Sequence, residues 1–356
     1  MSEPLNILQH KAIGLLKELI ATPSFSREES GTALILENFF RENAIPVNRF
    51  MNNIWAVNKH FNESKPSLLL NSHHDTVKPN KAYTLDPFAP VEKDGKLFGL
   101  GSNDAGGALV ALIAVFLYFY EAEGLKYNLV FAATAEEEIS GKNGIEILLA
   151  ELPRLDCGIV GEPTLMQMAI AERGLLVLDV TATGKAGHAA REEGENALYK
   201  ALADIEWFRT YAFEKVSPLL GKVKMTVTVI ETENKAHNVV PSQCRFVVDV
   251  RVNELYTFEE ILSVIRSHVK SDVQPRSLRM RSTSIAMDHA LVKAGLALNR
   301  SYYGSPTTSD KALMPFQTLK MGPGDSARSH TADEFIFTEE INGGIELYIQ
   351  LLKQVL

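Results

Sequence analysis

Residues 68–77 read Leu-Leu-Leu-Asn-Ser-His-His-Asp-Thr-Val, an apolar run that ends abruptly in side chains able to bind a metal ion. The run predicts a buried strand. Successive side chains on a strand alternate faces, so His73 and Asp75 share one side and His74 takes the other. That arrangement suits a ligand and its orienter, because a metal-binding imidazole usually has its second nitrogen fixed by a carboxylate or carbonyl. A solvated loop at a strand end looks the same, so the triplet needs partners. Candidates follow in Asp104 within Gly101-Ser-Asn-Asp104, Glu138 within Glu136-Glu137-Glu138, Glu162 within Gly161-Glu162-Pro163-Thr164, and His330. Adjacent carboxylates after a buried strand repel one another unless cations are present. Two histidines and three acids are what two divalent ions bridged by one carboxylate require, and zinc accepts both ligand types.

The elements that must hold these residues follow from periodicity. Helical spacing covers 5–21 and 28–43, and strands are expected at 54–57, 67–72, 129–135, 156–160 and 318–321. Several of these strands lead directly into an acid or histidine, and in open α/β sheets ligands bind at the carboxyl ends of strands. Residues 78–101 read as a long loop. The Gly-rich turn at 101–107 has neither Gly-Lys-Ser/Thr nor Gly-x-Gly-x-x-Gly, so it is not a nucleotide cradle. The apolar run at 108–120 falls short of the ~20 residues that span a bilayer and predicts a core helix. From residue 175 the order changes to strand 175–183, helix 196–211, strands 224–231 and 245–252, helix 258–268 and strand 277–282, the βαββαβ order of a ferredoxin-like unit. Helices at 288–300 and 341–356 then resume the first domain.

Composition narrows the function classes. Hydrophobic residues make up 46% and charged residues 22% of 356 positions, the balance of a globular protein large enough for two domains. A net charge of −8 with no dense basic run argues against nucleic acid as a partner, and no membrane partner is expected. Cys157 and Cys244 are the only cysteines, too few for a disulfide framework. With no basic, then apolar, N-terminal stretch, a cytoplasmic location is expected.

Eight ordered motifs carry a resemblance over nearly the whole chain: His73-His74-Asp75-Thr-Val, Gly101-Ser-Asn-Asp104, Ala135-Glu136-Glu137-Glu138, Gly161-Glu162-Pro163-Thr164, Gly184-Lys-Ala-Gly-His188, Asn238-Val-Val-Pro241, Asp249-Val-Arg251 and Ser329-His330-Thr-Ala-Asp-Glu334. The chain resembles the M20 metallopeptidases and amidohydrolases, in particular the acetylornithine deacetylase and succinyl-diaminopimelate desuccinylase group. The resemblance implies an α/β protein whose zinc-exopeptidase-like mixed-sheet catalytic domain (residues 1–174 and 283–356) carries an inserted ferredoxin-like α+β lid and dimerisation domain (residues 175–282). It makes His73, Asp104 and Glu162 ligands of one divalent ion and Asp104, Glu138 and His330 ligands of the other, with zinc expected and cobalt or manganese as alternatives. Asp75 would orient His73, Glu137 would be the general base, and His188 would donate to the oxyanion. Asn238 and Arg251 match positions that hold a substrate carboxylate. A homodimer through the insert and a cis peptide after Asp104 are also implied. The family usually has Lys two residues after the bridging Asp; here that position is Gly106.

The expected activity is metal-dependent hydrolysis of a linear amide in an N-acyl amino acid. Similarity in the Gly322-Pro-Gly-Asp and Ser-His-Thr-Ala-Asp-Glu stretches leans towards N-acetylornithine, or a related N-acetyl or N-succinyl ornithine or citrulline of arginine biosynthesis. Lys78 and Arg328 would favour a succinyl group if either faced the acyl pocket. The alternatives are a succinyl-diaminopimelate desuccinylase, an M20 dipeptidase or carboxypeptidase, and a non-catalytic binding protein on the same fold.

Overall fold

The computed structural model describes residues 3–356, in two compact units. The first comprises the chain through Ile170 together with Ile285–Tyr303 and Ser309–Leu356; the second comprises Ala171–Ser284 and Gly304–Thr308.

The first unit is built on a mixed sheet with strands in the order Asn48–Phe50, Asn53–Val57, Asn128–Thr134, Ser67–His73, Cys157–Val160, Gln317–Lys320 and Met168–Glu172. The inner four, from Asn128–Thr134 to Gln317–Lys320, are parallel, and their neighbours on either side are antiparallel. Every residue of Ser67–His73 and Asn128–Thr134 is buried, as apolar runs without alternation require when both faces of a sheet are covered. On one face lies the helix Gly107–Phe119, packed against Ser67–His73 and against the helices Leu5–Ile20 and Thr338–Val355. The segment Ser102–Phe119 is long and apolar enough to cross a membrane, but 83% of it is buried inside the fold, as befits a core helix. Leu69, Val130 and Val160 form the other face, under Ile145, Leu148 and Met314.

Within the second unit the strands Lys224–Thr232, Gln243–Val252, Gly174–Thr183 and Asp272–Pro275 form an antiparallel sheet in that order. Leu176, Leu178, Val180 and Ala182 alternate inwards and meet Ala201, Phe208, Ile261 and Ile265 from the helices Ala197–Thr210 and Phe258–His268. Thr257 caps the second helix in a reciprocal box with Glu260.

Three local readings differ from expectation. The loop over 78–101 contains a hairpin, Val91–Lys93 against Lys96–Phe98, which a third strand, Phe335–Phe337, extends. Its turn is Asp94-Gly95, both with positive φ (54° and 73°), the backbone that a two-residue hairpin turn demands. The strand expected at 277–282 is instead Asp272–Pro275, where Val273 pairs with Val180 and Pro275 has no amide hydrogen with which to extend the ladder. Met168–Glu172 is a fully buried strand that the sequence reading omitted.

Candidate metal centre

All four parallel strands lead at their carboxyl ends into a candidate site residue. His73 is the last residue of its strand and 1% exposed. Asn128–Thr134 runs into Glu137 and Glu138, Cys157–Val160 into Glu162, and Gln317–Lys320 into the loop that carries His330. Asp104 comes from the turn before the core helix, and its peptide bond to Ala105 is cis. His73 Nδ1 lies 2.9 Å from the carbonyl oxygen of Asp75; donation there leaves Nε2 with its lone pair. That Nε2 is buried without a hydrogen bond, and it faces Asp104 Oδ1 at 3.4 Å, Glu137 Oε2 at 3.9 Å and Glu162 Oε1 at 4.0 Å. The other oxygen of Asp104 faces His330 Nε2 at 3.6 Å, and Glu138 Oε2 lies 3.0 Å from that same nitrogen.

Main-chain amides hold the acidic turns in place. The Asp75 carboxylate accepts from the N–H groups of Glu137 (3.0 Å) and Glu138 (3.2 Å) and from the Ser26 hydroxyl (2.6 Å). Its distance to His73 Nδ1 is 3.4 Å, so Asp75 reaches the imidazole most directly through its own carbonyl and spends its carboxylate on the turn. Glu136, with φ 56°, turns away from the cluster to accept from the Asn143 side chain at 2.8 Å. Glu334 accepts from the amides of Asn103 (2.8 Å) and Asp104 (2.9 Å). Sequence reasoning assigned no role to Ser26 or Glu334, because their partners are a carboxylate and backbone amides that no spacing rule reveals.

The sequence model of Peptidase family M20/M25/M40 matches residues 69–354, which includes every strand end just described. The chain belongs to this family. Succinyl-diaminopimelate desuccinylase 2 of Ruegeria sp. (strain TM1040) is 26% identical over 278 residues, covering 73% of this chain and 69% of the relative. Among solved structures, aminopeptidase PepT from Bacillus cereus ATCC 10987 has a TM-score of 0.78 at 16% identity, with 98% of each chain covered. The Bacillus subtilis YXEP protein, a dinuclear metal binding peptidase, has a TM-score of 0.71 at 15% identity, with 98% of each chain covered.

As a member of the M20/M25/M40 family the protein is a metal-dependent amidohydrolase, and its donor set fits that chemistry. His73, Asp104 and Glu138, and likewise His73, Glu137 and Glu162, bring one ligand atom each to within 4.8 Å of one another. Two donors ~2.0–2.2 Å from a tetrahedral zinc ion lie roughly 3.3–3.6 Å apart, close to the spacings from Asp104 to the two histidines. Without a cation the cluster is short of positive charge. Burial opposes protonation of His73, yet Glu137, Asp104 and Asp75 outweigh it and hold the imidazole pKa well above its usual value. Burial pushes Glu137 well above the carboxylate range; His73 opposes this, while Glu162, Asp310 and Glu138 add to it. Burial also raises Glu162 to about 7, against the pull of Lys320. The hydrogen bond that His330 donates to the Glu138 carboxylate raises its pKa to about 9. His74 points away into a polar pocket between Thr32 Oγ1 and the Asn52 carbonyl, both at 2.9 Å, and burial lowers it to about 4. It serves the fold.

The other expected residues lie in the second unit. His188 and Asn238 are exposed neighbours: Gly187-His188 pairs with Val239-Val240, and the Ala189 amide donates to the Asn238 carbonyl at 2.9 Å. Arg251 is not with them. It sits at the far end of Gln243–Val252, eight residues or about 27 Å of strand beyond Gln243, and its guanidinium is paired with Asp249 at 2.8 and 3.0 Å. Arg328 is likewise committed, by two hydrogen bonds to Glu340 and by the rings of Phe335 and Phe337 beneath it.

Proposed function

We propose that the protein hydrolyses the amide of an N-acyl amino acid, and that the acyl group is succinyl, as in succinyl-diaminopimelate, rather than the acetyl group of N-acetylornithine. The observation that carries amide hydrolysis is the convergence of His73, Asp104, Glu138, Glu162 and His330 around Glu137. In this reading His73, Asp104 and Glu162 would hold one divalent ion, and Asp104, Glu138 and His330 a second. Asp104 would be the shared carboxylate, since each of its oxygens faces a different histidine. Zinc suits these nitrogen and oxygen donors, as do cobalt and manganese. When bound, such ions polarise the substrate carbonyl and lower the pKa of water.

Glu137 takes a proton from the water that attacks the amide carbon and passes it to the leaving nitrogen, a contribution of roughly 10²- to 10⁴-fold. Cations among its neighbours would oppose the burial and the carboxylate repulsion that raise its pKa, and so favour its ionised form as a base. His188 donates to the oxyanion and Asn238 to a substrate carboxylate. The protein forms a homodimer through its second unit: Lys224–Thr232 is an edge strand with exposed Val229 and Ile230, and Tyr199 and Leu202 are exposed on the adjacent helix. The first unit is the catalytic domain and the second the lid.

Two observations favour the succinyl group. Relatives from Ruegeria sp. (strain TM1040) and Beijerinckia indica are named as succinyl-diaminopimelate desuccinylases. Lys78, three residues beyond Asp75, is exposed and lies 5.8 Å from the Phe25 ring, whereas Arg328 is committed to Glu340. A carboxylate meeting Lys78 would gain about 1.5–3 kcal/mol, a tenfold to hundredfold preference. The test is kcat/KM of the zinc-loaded protein on N-succinyl-diaminopimelate, N-succinylornithine, N-acetylornithine, N-acetylcitrulline and a dipeptide panel. Succinyl substrates should lead, with Lys78→Ala erasing the lead. Dipeptides ahead of every N-acyl amino acid would overturn the deacylase reading.

A further inference from the structure

The loop that carries His330 and the turn that carries Asp104 are tied together at both ends. At one end the Asn103 side chain exchanges two hydrogen bonds with the backbone of Asp325: Nδ2 donates to the carbonyl at 3.0 Å and Oδ1 accepts from the amide at 3.0 Å. At the other end Glu334 Oε1 accepts from the amides of Asn103 and Asp104, and the Glu334 carbonyl accepts from the Gly99 amide at 2.9 Å. Glu334 is 1% exposed, and a carboxyl group is kept from water without a large penalty only where hydrogen bonds replace its hydration. His330 lies between these ties with φ 61°, a left-handed conformation uncommon for a residue other than glycine.

We propose that Glu334 is a positioning residue for the metal centre, clamping the amides of Asn103 and Asp104 so that the bridging carboxylate and His330 are presented as one rigid body. It touches neither substrate nor ion. Its action is through Asp104: one oxygen atom receives two successive N–H groups, which fixes the backbone from which the Asp104 side chain projects towards the two histidines. The inference rests on the metal-centre reading above. A glutamate that merely stabilised the fold would affect the melting temperature of the metal-free protein and leave metal affinity alone.

The test uses the full chain, stripped of metal and titrated with cobalt(II) alone, read by its visible absorption, with kcat and KM measured after zinc loading. Glu334→Gln keeps an oxygen at the same reach; Glu334→Asp shortens the arm by one methylene and loses contact. Glu334→Asp should weaken cobalt affinity 10- to 100-fold, the range found for outer ligand partners, and lower kcat with KM within about threefold. Glu334→Gln should stay within about threefold of the parent in both. A Glu334→Asp variant that binds cobalt like the parent, or a Glu334→Gln variant as impaired as Glu334→Asp, overturns the clamp while leaving the metal centre intact. A parent chain that takes up no cobalt overturns both.

Discussion

Neighbouring residues in the acidic turn have different tasks. Glu138 lies 3.0 Å from His330, whereas Glu137 faces the cluster from the side of His73. Glu137→Ala is therefore expected to lower kcat by two or more orders of magnitude with metal content unchanged, and Glu138→Ala to lose metal; kinetics with metal analysis on each variant decides. Burial without a cation also has a signature in stability. Glu162, with a folded pKa of about 7 against 4.5 for the free side chain, binds its proton more tightly when folded, so its contribution is fully present below the unfolded value and is lost as pH rises towards 7. Metal-stripped protein should accordingly melt at progressively lower temperature between about pH 5 and 7.5, with zinc reversing the loss; a flat profile would show that the cluster is not strained by its own charge. The cluster-forming residues were legible because His and acids after apolar strands are unusual in type and place. The clamps were not: Asp75, Glu334, Asp333 on Thr84 and Leu85, and Asp204 on Lys270 and Ser271 all grip successive main-chain amides, and amides have no sequence.

At the level of elements, strongly periodic stretches were read to within a few residues, as at Phe258–His268, because one apolar face at helical spacing has a single solution. The fully buried parallel strands were found through their apolar runs and the acids that end them. Short elements were harder: Val91–Lys93 and Lys96–Phe98 are three residues each, too brief for a period, and only Lys93-Asp94-Gly95-Lys96 announces them. Gly95 has φ 73° and open space where a side chain would project, so Gly95→Ala should carry a purely conformational penalty of about 1 kcal/mol, seen as a lower urea midpoint with unchanged metal binding. A neutral substitution would mean that the turn relaxes to another type.

For the whole molecule, the proposed dimer is tested by complementation. If His188 serves the partner's metals, mixing His188→Ala and Glu137→Ala proteins should restore part of the activity lost in each, because one site in the heterodimer has both groups; no recovery after demonstrated subunit exchange would place His188 in its own chain or out of the reaction. The two-unit division also bears on how such a protein can be altered. Glu172 and Thr283 are direct antiparallel partners at the two ends of the main segment of the second unit, to which the chain returns only at Gly304–Thr308. A segment whose ends emerge side by side is a cassette: its removal asks for no more than a short turn between neighbouring strands. Chains in which that turn replaces the intervening residues are expected to retain cobalt binding, and chains in which a different cassette is spliced in offer a route to altered acyl preference without touching the metal centre.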